Sequence, residues 1–321
     1  MIVVTGCVGF IGYHLTQKLL SKKKIVLGID KIDNYYDKKL KLSRLKILKK
    51  NKNFIFSKID LNNMQRLHKQ FKKKKISTII HLAAQPGVRI SIKRPHNTLY
   101  QNINAFINII EIARILSVKK FIYASSSSVY GDTKKYPFIE NDKNNFPISV
   151  YGVSKLCNEH IAETYSKNFK LKAIGLRFFT VYGPYGRPDM AYFSFTKNLF
   201  QNKKIKVFNK GKMLRDFTYI DDITNGIYKI LNKNIKVFHS VINLGKGRPD
   251  NLFDLINYLQ KYSNKKFKFN FTTSIPKGDI KKTYASVAKA KKTMDWNPKI
   301  NLNEGISNFL KWYRMFYGKK N

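Results

Sequence analysis

Tyr151 and Lys155 stand four residues apart in the amphipathic stretch Val150–Phe169, which reads as a helix. On a helix that spacing puts both side chains on one face, roughly a turn apart. A phenol with an ordinary pKa of about 10 is a poor base at neutral pH, and a neighbouring ammonium makes its phenolate accessible. The pair therefore suits proton transfer to and from an alcohol. Alone, Tyr-x-x-x-Lys is a common surface pairing. Its weight here comes from Ser125-Ser126-Ser127-Ser128, which closes the apolar run before it. Ser126 at that strand end can bond the substrate oxygen being oxidised.

A second constellation lies at the N-terminus. Gly6, Gly9 and Gly12 follow the apolar run Ile2–Thr5 and open a helical stretch that begins at Phe10 and Ile11. Gly6 permits a tight turn, Gly9 a close approach of backbone to a pyrophosphate, and Gly12 close packing of helix on sheet. The first N–H groups of that helix then face phosphate. Asp30 ends the next apolar run, where a carboxylate meets ribose hydroxyls. It favours NAD over NADP, whose 2′-phosphate it would repel, and Lys31 beside it softens that preference. Asp60, after the third run, is a candidate adenine contact. With NAD in place, Lys155 can hold the nicotinamide ribose, and the cationic ring lowers the Tyr151 pKa further.

These residues must be positioned by regular elements. Ile2–Thr5, Ile25–Asp30, Phe54–Ser57, Thr78–Leu82, Phe121–Ser125 and Ala173–Phe178 read as buried strands. Phe10–Leu20, Leu40–Lys50, Met64–Lys73, Asn97–Leu116 and Val150–Phe169 read as helices between them. The alternation predicts an α/β fold, a doubly wound parallel Rossmann sheet covered on both faces. After Gly183, proline and glycine punctuate shorter elements, which predicts a smaller mixed α+β lobe. The expected division is a dinucleotide-binding domain over 1–180 and a substrate lobe over 181–321. Its boundary is soft, since part of 215–245, such as Phe217–Leu231, can return to the first domain.

The 321 residues are 43% hydrophobic, enough for a full core and too apolar for a disordered chain. Two cysteines, Cys7 and Cys157, exclude a disulfide framework and read as packing residues. No apolar run approaches the ~20 residues of a membrane span, and no signal peptide fits, so a cytoplasmic protein without membrane insertion is expected. The six histidines, His14, His81 and His160 among them, lack ligand spacing, so no metal is expected. The net charge of +43 is extreme, but only ten of the 62 basic residues are Arg. The lysine runs Lys22–Lys24, Lys72–Lys75, Lys281–Lys282, Lys291–Lys292 and Lys319–Lys320 are scattered. They read as solvated faces, not as a specific nucleic-acid surface.

The glycine turn, Ser126, Tyr151 and Lys155 together resemble the extended short-chain dehydrogenases/reductases that modify nucleotide sugars. Longer stretches narrow the resemblance to UDP-glucuronate 4-epimerases: 81–89, 123–131, 176–184, 186–190, 215–222, Asp33–Asp37, Pro276–Asp279 and Trp296–Pro298. It covers essentially the whole chain. It implies bound NAD, with Ala83 among the cofactor contacts, and a UDP-sugar substrate. Tyr151 would take the proton of the sugar 4-hydroxyl as hydride leaves C4. The 4-keto sugar would turn about its link to UDP, and hydride would return to the other face. A 4-keto uronic acid is a β-keto acid and can lose carbon dioxide, so the carboxylate must be restrained. The resemblance places Ser127, Ser128 and Thr180 at that carboxylate, with Arg187 as a cationic partner. Arg89 is expected at the substrate pocket, and Arg215 and Arg248 at the UDP phosphates. Relatives that eliminate water place Asp-Glu directly after the catalytic Ser or Thr, and decarboxylases place Glu second. Ser127 and Ser128 argue against both. Epimerases of neutral sugars typically have Asn where Thr180 stands. Family members commonly form homodimers through four helices, here Asn97–Leu116 and Val150–Phe169 with their copies.

Overall fold

The structure, a computed structural model, describes residues 1–142 and 146–318; the Lys319–Lys320 run lies outside the described residues. Six strands form the core of the first half: β1 (Ile2–Thr5), β2 (Val26–Asp30), β3 (Phe54–Lys58), β4 (Thr78–His81), β5 (Lys120–Ser126) and β6 (Ala173–Phe178). Shorter strands follow: β7 (Thr180–Tyr182), β8 (Ile205–Val207), β9 (Leu214–Arg215), β10 (Phe217–Tyr219), β11 (His239–Leu244), β12 (Asp250–Asn251) and β13 (Phe269–Phe271). The main sheet is seven-stranded and parallel throughout, in the order β11-β6-β5-β4-β1-β2-β3. The order reverses between β1 and β4, which opens a crevice at their carboxyl ends.

Strand pattern explains the layering. Ile2 and Val4 face one apolar core while Val3 faces the other, and both cores are closed to water. Helices α1 (Phe10–Ser21), α2 (Lys38–Leu48), α3 (Met64–Phe71), α4 (Val88–Lys93), α5 (Pro95–Leu99), α6 (Ala105–Ile115) and α7 (Val150–Phe169) connect the strands of the sheet. Ser149 caps α7, its hydroxyl accepting Gly152 N–H at 3.1 Å. The expected single helix over Asn97–Leu116 is instead α5, a π-turn over Tyr100–Asn104, and α6. The wide turn brings buried Asn102 to Gln85 and Ser154, bonding Ser154 Oγ at 3.0 Å.

The remaining helices are α8 (Ala191–Phe200), α9 (Ile220–Asn232), α10 (Leu252–Ser263), α11 (Ala288–Met294) and α12 (Leu302–Tyr317). Three two-stranded sheets, β7–β10, β9–β12 and β8–β13, join them. Strand β11 adds to the edge of the main sheet beside β6, and α9 packs on α1. The core on that side runs without a break from Leu15 and Leu19 through Ile223 and Ile227 to Phe193, Phe309 and Trp312. Among the described residues, no helix is long and apolar enough to cross a membrane.

Candidate active site

One cleft of about 820 Å³ runs along the carboxyl ends of β1, β2, β4 and β5 and continues into the lobe. Its first end is built from backbone. Gly6 has φ +69°, and a Cβ there would lie 2.8 Å from the amide nitrogen of Ala83. A Cβ on Gly12 would lie 2.0 Å from the Gly6 carbonyl oxygen, so only glycine lets α1 seat on the turn. Gly9 precedes α1, whose start bears no side-chain cap and thus offers its N–H groups to an anion. Phe10, Ile11 and Ala83 line the same end.

Asp30 sits at the tip of β2, its carboxylate accepting Val8 N–H at 3.3 Å and Ile32 N–H at 2.8 Å. Burial pushes its pKa up, and those bonds with the Lys41 charge oppose the rise. Lys31 does not face it. The ammonium turns to Asp60 at 3.3 Å and to Gln101, and Asp60 also accepts Asn62 N–H. These three residues border the cleft together.

The Ser126, Tyr151 and Lys155 side chains come from two neighbouring elements. Ser126, at the end of β5, accepts Ser128 N–H at 3.1 Å, which fixes the turn Ser127–Tyr130. Tyr151, in the first turn of α7, lines the same cleft as Ser126. Burial raises the Tyr151 pKa, and the Arg187 charge opposes that rise, helped by the Ser126 hydroxyl. Lys155 is 1% exposed, with Nζ donating to Ala124 O at 3.0 Å and lying 5.9 Å from the Tyr151 ring centroid. Burial lowers its pKa to about 8, and Glu159 opposes that shift. Arg187 thus adds a second positive charge near Tyr151 to that of Lys155.

The second end is built from side chains on separate segments. Ser127, Ser128, Thr180, Arg187, Arg89 and Arg215 all line the cleft. Arg187 Nε bonds Asp189 Oδ1 at 3.0 Å, while the Tyr35 hydroxyl donates to Asp189 Oδ2 at 3.0 Å. Arg89 pairs with Asp279 at 2.8 Å and stacks 5.0 Å from the Phe208 ring centroid. Arg215 donates to the Leu214 and Lys281 carbonyls, and burial weakens its hold on its proton. Arg248 is a correction: it lies exposed after the Gly247 turn, at φ +84°, and does not line the cleft. That turn carries it outward while Lys246 pairs inward with Asp250.

Sequence reasoning assigned nothing to Tyr35, Asp189 or Arg44. Arg44 is fully buried, donating to Val8 O at 2.8 Å, Tyr36 Oη at 2.6 Å and the carbonyls of Tyr185 and Gly186. It ties the glycine turn to the loop bearing Arg187. Its one legible signal is its place on the buried face of α2, with Leu40, Lys41 and Leu48.

With this geometry the chain is an α/β protein with a Rossmann-like sheet and one long cleft at its carboxyl edge. It belongs to the NAD dependent epimerase/dehydratase family, which matches residues 2–245. An uncharacterised protein of Methanocaldococcus jannaschii is 44% identical, over 97% of this chain and 95% of that one. The UDP-glucuronate 4-epimerase of Thermodesulfobacterium geofontis is 40% identical, over 97% of this chain and 95% of its own. The crystal structure of UDP-glucuronic acid 4-epimerase from Bacillus cereus, in complex with UDP-glucuronic acid and NAD, superposes with a TM-score of 0.91 at 36% identity. That match covers 98% of this chain and 99% of the other.

Proposed function

We infer that the protein is a nucleotide-sugar 4-epimerase that interconverts UDP-glucuronate and UDP-galacturonate. One observation carries this reading: Ser126, Tyr151 and Lys155 share a cleft with Ser127, Ser128, Thr180 and Arg187, and no carboxylate follows Ser126. The residues present fit NAD. Gly6 and Gly12 leave no room for a Cβ, the uncapped start of α1 suits the pyrophosphate, and Asp30 stands at the ribose position. NAD, when bound, accepts a hydride from C4 of the sugar and returns it.

The chain's own residues do the rest. Tyr151 removes the 4-hydroxyl proton and later gives it back, Ser126 holds the same oxygen, and Lys155 stabilises the phenolate and orients the ribose. Arg187 lowers the cost of the Tyr151 anion. Arg215 and Arg89 anchor the diphosphate, so the binding energy resides away from the reacting carbon and the sugar is free to turn. Ser127, Ser128 and Thr180 hold the carboxylate out of the orientation that releases carbon dioxide. Residues 1–180 then serve the cofactor and 181–321 the UDP-sugar, with β11 returned to the first unit.

A cytoplasmic homodimer feeding polysaccharide synthesis is the setting we propose. Supporting the dimer, Ile107 and Ile115 on α6 and Val153 and Phe169 on α7 are each at least 40% exposed. An apolar groove lined by Val153, Cys157, His160 and Ile161 runs along α7. No specific nucleic acid is assigned, as the Lys22–Lys24 and Lys291–Lys292 runs are exposed at helix ends.

The test is incubation of purified protein with UDP-glucuronate and catalytic NAD, with the sugars read by proton NMR. UDP-galacturonate at a stable ratio to substrate is expected. A UDP-pentose would mean that the carboxylate is not restrained. No turnover, followed by turnover of UDP-glucose or UDP-N-acetylglucosamine, would move the assignment to a neutral sugar.

A further inference from the structure

The helix bearing Tyr151 and Lys155 carries another buried group one turn on. Glu159 is 4% exposed, and its carboxylate accepts the Ser125 hydroxyl together with a two-pronged bond from Arg177. Arg177 Nε reaches Oε1 at 2.9 Å and Nη2 reaches Oε2 at 2.7 Å. Arg177 lies on β6 and is 2% exposed. Its guanidinium stacks 4.6 Å from the ring centroid of Tyr130, the last residue of the turn that holds Ser127 and Ser128.

Every bond of this cluster sits next to a working residue. Ser125 precedes Ser126, Glu159 is a turn beyond Lys155, and Arg177 leads along the chain to Thr180. Stability does not explain such a pair, because desolvating two charges offsets most of their attraction and apolar residues of like volume often serve as well. An apolar seam would hold α7 on the sheet. What it would lack is a negative charge one helical turn from Lys155.

Resting on the epimerase reading above, we propose that Glu159 is a positioning residue of the reaction: clamped by Ser125 and Arg177, it fixes the Ser126 end of β5 against the catalytic helix and supplies the counter-charge of Lys155. Glu159 is the group that opposes the downward shift of Lys155. The other groups facing this region are known. Lys155 faces Tyr151 on its own helix and His81 on β4, whose pKa burial lowers to about 3, leaving it neutral. Glu159 faces Arg177 on β6, Tyr123 on β5, His239 on β11 and Lys289 on α11. None of the others is a carboxylate near Lys155.

The test is the pH profile of epimerisation in NAD-loaded enzyme for wild type, Glu159→Gln and the double variant Glu159→Gln/Arg177→Met. The double variant leaves no lone buried charge, so it is the one expected to fold. An inactive wild type would speak against the epimerase reading itself; all that follows is measured against an active one. Loss of the carboxylate should bring the alkaline limb of kcat to lower pH by at least about half a unit, while KM for the UDP-sugar stays within about twofold. Glu159→Asp, which keeps the charge, should restore the limb. A folded, NAD-loaded double variant with its limb at the wild-type position would overturn the proposal, even if kcat fell, since loosening alone lowers rate without moving a titration. Should neither charge variant fold, Ser125→Ala removes a single hydroxyl. It should lower kcat about two- to tenfold with NAD retained, and wild-type kcat there would overturn the proposal equally.

Discussion

The two ends of the cleft are built on different principles. The end proposed for the cofactor is backbone: a glycine turn, a helix start and the half-buried Asp30 carboxylate, all within the first β-α-β unit. The substrate end is side chain: Arg89, Ser127, Thr180, Arg187 and Arg215 arrive on five separate segments, and several are held by partners such as Asp189 and Asp279. A backbone site admits one residue type at each close approach and is rigid. A charge-built site can be retuned by single substitutions without disturbing the sheet. A fold can thus keep one cofactor while its substrate varies.

The comparison breaks first at the seam, where both ends meet the reacting carbon. Tyr151→Phe should lower kcat by about 10²- to 10⁴-fold and still retain NAD; near-wild-type turnover would remove Tyr151 from the chemistry. Gly12→Ala drives a Cβ to 2.0 Å from the Gly6 oxygen. It should cost about 1–3 kcal/mol of folding stability and release NAD, read by thermal unfolding and cofactor absorbance in the purified protein. Arg215→Ala should raise KM for the UDP-sugar about ten- to a hundredfold while NAD occupancy is unchanged. Release of NAD by that variant would show that the ends are not separable.

A separate effect concerns pH. His81, the last residue of β4, is held neutral and bonded to Thr5 Oγ1 of β1 at 2.8 Å, with burial lowering its pKa from 6.5 to about 3. As pH falls below 6.5 the unfolded chain takes up this proton first, so the His81 contribution to stability declines toward pH 3. The loss is about 1.4 kcal/mol per pH unit in that window, and denaturant titrations of His81→Gln should lack this component. The smallest effect belongs to the exposed Arg89–Asp279 pair, where Asp279→Asn should change stability by less than about 1 kcal/mol. A larger loss would mean that this pair closes the substrate end.

Strands β1, β2, β4, β5 and β6 were legible because each is a short apolar run buried on both faces, and β1 and β6 have the same limits in sequence and structure; β11, entering the sheet from the later half of the chain, was not read as a strand. The helix Val150–Phe169 was legible to its last residue because Ser149 caps it and Lys170 ends it in a left-handed conformation. The π-turn at Tyr100–Asn104 was not, because it follows from Asn102 meeting Gln85 and Ser154, contacts distant in the chain. Arg44 and Glu159 carried no assignment from sequence, because only their burial in the fold sets them apart from solvated helix charges. Arg248 read as a phosphate ligand because its type is right, and only the path of the Gly247 turn takes it elsewhere.

Local chemistry, then, was decided by the sequence: which strands are buried, where glycine is obligatory, and which phenol has an ammonium one turn away. Spacing along a helix or a turn sets those geometries within a few residues. Which arginines line the cleft, and which carboxylates and carbonyls they pair with, were decided only by tertiary structure. Electrostatic partners are chosen by distance and burial in space, and the residues that meet here come from segments as far apart as Tyr35 and Asp279.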